Sequence, residues 1–129
     1  MKKDEIQQII KDTVQTTVLQ LKAAGLLKDG TMTAYEKTEA LLFQYPELQK
    51  VDEPYARRLV QEIDACLAEA ENEPYVDVIR LYYFGGLKNA ACANVLCCSE
   101  RTARRNRAAL VERFAARLVS DDFIRELLL

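Results

Sequence analysis

Four cysteines, a run of arginines and the complete absence of histidine bound the chemistry open to this chain. Cys66, Cys92, Cys97 and Cys98 form no CxxC pair, and the adjacent side chains of Cys97 and Cys98 cannot easily reach one tetrahedral ion together. No imidazole exists to complete a zinc site, and the commonest general base is missing with it. Cys66 falls on the apolar side of a helical pattern, where small buried thiols are common. The cysteines are therefore expected to be reduced core residues, with no metal and no other cofactor. Paired acids offer little more. Glu69 and Glu73 are spaced as one solvated helix face, and Asp121 with Asp122 suits a helix N-terminus. With 4 glycines and neither GxGxxG nor GxxxxGK[ST], there is no phosphate-cradling loop. No catalytic residues are assigned, and an enzyme is not expected.

The arginines carry more information. The formal net charge is only −2, but residues 88–117 hold Lys88 and arginines 101, 104, 105, 107, 113 and 117 against Glu100 and Glu112, a balance of +5. Between Asp29 and Asp77 the sign reverses, with twelve acids against Lys37, Lys50, Arg57 and Arg58. Such segregation predicts a basic surface for a polyanion on an acidic body. A charged helix that merely stays solvated is the plainer alternative.

Elements must position those charges, and the pattern is helical throughout. Half of the 129 residues are apolar and 29% are charged, enough for a core and for solubility. Ile6, Ile9, Ile10, Val14, Val18 and Leu21 recur at helical spacing, with Gly25 placed as a left-handed C-terminal residue. Thr33 and Glu36 form a capping box for a helix expected to stop at Tyr45, because Pro46 disfavours helix in the residue before it. Pro54 opens another, with Tyr55, Leu59, Ile63, Cys66, Leu67 and Ala70 on one side. Pro74 suits the start of the next, whose inner face is Tyr75, Val78, Ile79 and Tyr82, and Gly85-Gly86 breaks it. Helices at 88–96 and 100–118 follow, then a short one after Ser120. No segment alternates as a strand does, so the fold class is all-α, a helical bundle. No apolar run approaches the ~20 residues of a membrane span, and MKKDEIQQIIKD is too polar for a signal peptide. A cytoplasmic protein without membrane contact is expected.

The stretch LYYFGGLKNAACANVLCCSERTARRNRAALVERF reads as helix, break, short helix, tight turn and arginine-rich helix. Ala93 is the small residue needed where two helices of a helix-turn-helix cross. Leu87, Cys92, Leu96 and Cys98 are apolar plugs, and Ser99 can cap the second helix. On that helix Ala103, Leu110 and Phe114 face inward, while Arg101, Thr102, Arg104, Arg105 and Ala108 point elsewhere. The first two turns of such a helix enter the major groove, where arginine reads guanine or clamps phosphate. Four arginines in seven residues, Arg107 included, stand without an intervening acid.

This stretch resembles the C-terminal helix-turn-helix of bacterial sigma factors, region 4, with Leu81, Phe84, Gly86, Leu87, Ala93, Leu96, Ser99 and Thr102 on the pattern. YEKTEALLFQYPELQ, NEPYVDVIRLYYF and TARRNRAALVERFAARL resemble the ArpU/RinA-like phage transcriptional regulators, small proteins associated with control of late genes. Together the resemblance covers about residues 33–129. Position by position it implies base contacts from Arg101, Thr102, Arg104 and Arg105, and phosphate contacts from Lys88 and Ser99 at helix starts. Arg107 completes the expected DNA-binding set. Two positions depart from the pattern: Cys97 stands where the turn usually has glycine, and Ala103 replaces a larger aliphatic residue.

The expected organisation is an N-terminal amphipathic helix at 1–28, an acidic helical segment at 29–73 and a helix-turn-helix domain at 74–129. The expected function is sequence-specific binding of double-stranded DNA to regulate phage or prophage genes, without enzymatic activity. The competing reading is a sigma-like module that binds RNA polymerase or another protein and hardly touches DNA. The N-terminal stripe is expected to mediate self-association as a homodimer, with completion of the monomer's own core as the alternative.

Overall fold

Three helix starts among the described residues are set by local side-chain caps, at Thr33, Ser99 and Ser120. In the computed structural model, which describes residues 4–7, 25–27 and 29–128, Thr33 and Glu36 exchange both capping bonds at 3.1 Å and open α1 (Ala34–Leu48). Pro54 occupies the first turn of α2 (Pro54–Glu69), where its missing N–H has no partner to lose. A helical turn, α3 (Asp77–Ile79), runs directly into a π-helical turn over Arg80–Phe84. Then come α4 (Asn89–Leu96), α5 (Glu100–Leu118) and α6 (Asp121–Leu128). Ser120 starts α6 by accepting the Phe123 N–H at 3.2 Å. The described residues are all-α and contain no strand.

The long helix α5 is the spine. Its 19 residues span roughly 28 Å at ~1.5 Å per residue, and every other labelled helix packs against it. Ala103, Leu110, Val111, Phe114, Ala115 and Leu118 line its inner side. Opposite them lie Leu41, Leu42 and Leu48 of α1, Leu59 and Ile63 of α2, and Val78 and Ile79 of α3. One apolar cluster runs from Leu27 to Phe123. Residues on both sides of position 73 contribute to this one cluster.

Three expectations about the elements need correction. Pro46 does not stop α1, which continues to Leu48. A proline near the helix end forfeits one bond, while Gln49 still donates to the Tyr45 carbonyl at 3.0 Å and Leu48 is fully buried by continuing. Burying a leucine contributes about 1.5–3 kcal/mol, enough to offset most of the proline penalty of ~3 kcal/mol. Gly25 is helical, not left-handed: the turn extends to Leu27, which is buried and whose carbonyl accepts from Lys37 Nζ at 3.0 Å. Finally, Tyr83 rather than Tyr82 is the buried tyrosine of the fourth helical segment. An α-helix would bring residue 82 beneath 78 and 79. The wider π turn, closed by Gly85 N–H to Arg80 O at 2.8 Å, delays the inward position by one residue.

At the N-terminal end, residues 4–7 are helical and Ile6 is exposed. The rest of the expected stripe, Ile9, Ile10, Val14, Val18 and Leu21, lies outside the described residues. No helix among the described residues is long and apolar enough to cross a membrane.

Candidate nucleic-acid interface

Lys88 is the extended residue before α4, and its side chain is exposed. After Leu96, α4 ends in a tight turn on Cys97, which adopts left-handed backbone angles, φ 54° and ψ 44°. This is the position where glycine was expected by resemblance. The turn is made regardless, with cysteine carrying the strain of a Cβ in that region. Cys98 N–H donates to Ala93 O at 3.0 Å, closing α4, and the chain enters α5 at Ser99.

Ser99 behaves as the capping pattern predicts. Its Oγ accepts from the Thr102 N–H at 3.0 Å and lies 2.9 Å from the Thr102 hydroxyl. Beneath the turn, Cys92, Ala93 and Ala103 are almost fully buried, with Leu87, Leu96 and Cys98 partly buried around them. Ala93 and Ala103 are the small contacts that let α4 and α5 approach closely. Residues 88–118 thus run as a short helix, a left-handed residue and a capped second helix.

Arg101, Arg104 and Arg105 all project from the exposed side of α5. Arg104 bridges Glu100 one turn back at 3.0 Å, both side chains about half exposed. Such a surface pair is worth little and opens readily. Arg101 and Arg105, one turn apart, form no ion pair among the described residues. Lys88, before α4, likewise forms no ion pair among the described residues, and Arg101 lies in the first turn of α5, where the dipole is also positive.

The remaining arginines of the basic run are differently placed. Arg113 bonds Glu73 at 3.1 Å and the Glu69 carbonyl at 3.3 Å. Arg117 grips Glu62 and Glu69. The +5 balance read from residues 88–117 therefore divides: the C-terminal half of α5 is neutralised by the acidic helix α2 and its following turn, and the N-terminal half is left open.

Arg107 belongs to neither group. Its guanidinium lies over the Tyr82 ring, 3.7 Å from the centroid, and Nη1 donates to Asn89 Oδ1 at 2.5 Å. Its Nε is buried without a partner. The expected contact residue is thus turned between helices. The signal was present in the spacing, since 103, 107, 110 and 114 fall on one helical stripe.

The cysteines are only partly as expected. Cys66 and Cys92 are buried, and burial pushes the Cys66 thiol up to about 12. Cys98 is half-buried, but Cys97 is exposed because its left-handed backbone turns it out of the core. No group of His, Cys, Asp and Glu suited to a metal ion occurs among the described residues.

An open pocket of about 440 Å³ is lined by Tyr45, Asp64, Leu67, Glu71, Arg80 and Phe84. Its polar groups are already engaged with each other. Tyr45 donates to Asp64 at 2.6 Å, and Arg80 bonds Asp77 at 2.7 Å and Glu71 at 3.2 Å. Burial first, then the Asp64 contact, hold the Tyr45 hydroxyl up to about 12, so it stays protonated near neutrality. No protein-family model, curated protein or solved structure matches this chain.

Proposed function

We propose that this chain is a sequence-specific, double-stranded DNA-binding regulator of transcription, acting without enzymatic chemistry of its own. The observation that carries the reading is the pair of unpaired arginines, Arg101 and Arg105, on the exposed first turns of a helix. Ser99 caps that helix, and Ala103 anchors it against a short preceding helix. The major groove is about 12 Å wide and accepts one α-helix, and arginine is its commonest base-reading side chain. Arg104 joins them when Glu100 releases it, with Lys88, Ser99 and Thr102 at the two helix starts. The resemblance of 33–129 to ArpU/RinA-like regulators supplies the context, control of phage or prophage late genes beside RNA polymerase in the cytoplasm. That part rests on the quoted motifs.

Selection from random duplex DNA is expected to enrich a defined motif. Against that motif, replacing Arg101 and Arg105 by alanine should lower affinity at least tenfold, since one bidentate arginine–guanine pair contributes about 1–3 kcal/mol of discrimination. Circular dichroism should be unchanged, because both side chains leave the core untouched. Equal binding by variant and wild type would refute the reading. Exposed Phe43 and Val95 favour the second reading, a protein-contact module. Salt separates the two: DNA affinity falls with a log–log slope of about −0.9 per phosphate neutralised, and an apolar contact shows no such slope.

A further inference from the structure

Arg107 stands at the junction of three elements and is only half-exposed, where Arg101 and Arg105 are exposed. We infer that Arg107 is a positioning residue: clasped between the Tyr82 ring and Asn89, it fixes the angle at which α5 leaves α4, and so the pose of the DNA-reading turns.

The clasp follows from the irregular part of the fold. The π turn over Arg80–Phe84 sends Tyr83 inward, where its hydroxyl donates to Glu39 of α1 at 2.6 Å. Tyr82 is thereby held edge-on to Tyr83, centroids 4.9 Å apart, and tilted against Phe43 of α1 at 5.9 Å. Its other surface receives the Arg107 guanidinium at 3.7 Å. From the same planar group Nη1 reaches Asn89, the first residue of α4, at 2.5 Å. A flat cation bonded to a ring on one side and an amide on another has little rotational freedom.

The cost of the arrangement argues for its purpose. Arg107 Nε is buried without a partner, and no carboxylate pairs with the guanidinium among the described residues. An apolar side chain of similar length would fill this inward stripe position without desolvating a charge. What it would lack is the directional bond to α4. Lysine would keep the charge but lose the stack and the planar fork.

The inference rests on the DNA-binding reading, and its test keeps the two apart. In free protein, Arg107→Gln and Tyr82→Leu should each speed amide hydrogen exchange in α4 at least tenfold relative to α1, while Tyr82→Phe, which keeps the ring, should match wild type. On duplex DNA both loosening variants should lose about tenfold in the ratio of specific to non-specific affinity. Their salt slopes should stay within ~0.3 of wild type, because no phosphate contact is removed. Combined, they should be no worse than the weaker single variant. Asn89→Ala, which removes only the amide, guards against a failure to fold. Unchanged α4 exchange, or a slope reduced by about 0.9 in Arg107→Gln, would overturn the clasp and return Arg107 to a direct contact. Failure of the DNA reading itself shows instead as indifference to Arg101 and Arg105 replacement, and the exchange arm in free protein still judges the clasp.

Discussion

At the scale of single residues, Cys97 shows how a turn can outweigh a local preference. A β-carbon in the left-handed region costs roughly 1–2 kcal/mol, and glycine avoids that cost at some expense in chain entropy. Cys97 nevertheless sits there, because Cys98 N–H must reach the Ala93 carbonyl and Ser99 must cap α5. The side chain is exposed and makes no core contact to lose. Cys97→Gly is therefore expected to stabilise the protein by about 0.5–1 kcal/mol, seen as a higher urea midpoint at unchanged slope. A lower midpoint would mean that the sulfur contributes packing the strain argument ignores. The same reasoning explains the legibility of the turn. Small and apolar residues at Ala93, Leu96 and Cys98 were readable as a tight turn between two helices, but that a cysteine would accept positive φ depends on the bonds that close α4 and cap α5 on either side of it.

At the scale of elements, the contact between α4 and α5 depends on two alanines, Ala93 and Ala103, exposed by only 4% and 1%. The pattern that this stretch resembles has a larger aliphatic residue at 103. With Ala103 buried at this helix contact, Ala103→Leu should cost about 1–3 kcal/mol of stability, read as an earlier urea midpoint. A stabilised variant would show that α4 can move outward freely. Starts of helices were readable because their signals are local: Thr33 with Glu36, Ser99 and Ser120 satisfy bonds within four residues, and Pro54 suits a first turn that has no N–H partner to lose. Ends and irregularities were not. Pro46 was overridden by burial of Leu48, and the π turn broke the 3.6-residue period on which Tyr82 had been placed inside. The site divided in the same way. Exposed Arg101, Arg104 and Arg105 followed from helical phase alone, whereas the roles of Arg107, Arg113 and Arg117 depend on partners far away in sequence.

At the scale of the whole molecule, those distant partners tie the acidic and basic parts into one body. Glu62 of α2 is nearly buried and accepts from Arg58 one turn earlier, at 2.6 Å, and from Arg117 of α5. Arg58 continues to Glu126 of α6 at 2.9 Å and lies over the Phe123 ring at 5.1 Å. Glu62 is thus the anion shared by Arg58 of α2 and Arg117 of α5, and Arg58 extends the network to α6. Burial alone would raise its carboxyl, but Arg117 and Arg58 together outweigh burial and hold it below the ordinary 4.5. The direction fixes the pH dependence. A carboxyl depressed in the folded state contributes stability that is complete above its unfolded value and lost as pH falls through its folded one. The wild-type thermal midpoint should therefore drop as pH goes from about 5 to about 3, where a neutral Glu62 leaves Arg58 and Arg117 without their common partner. Glu62→Gln should cost about 2 kcal/mol near neutrality, the range for hydrogen bonds to charged groups. It should not reach the 3–5 kcal/mol of a fully buried pair, because Arg58 and Arg117 side chains keep 34% and 38% of their surface exposed. Its midpoint should also fall less steeply with acid, since the group responsible no longer titrates. Parallel wild-type and Glu62→Gln profiles across that window would show that other carboxylates, and not this junction, hold the acidic helices to α5.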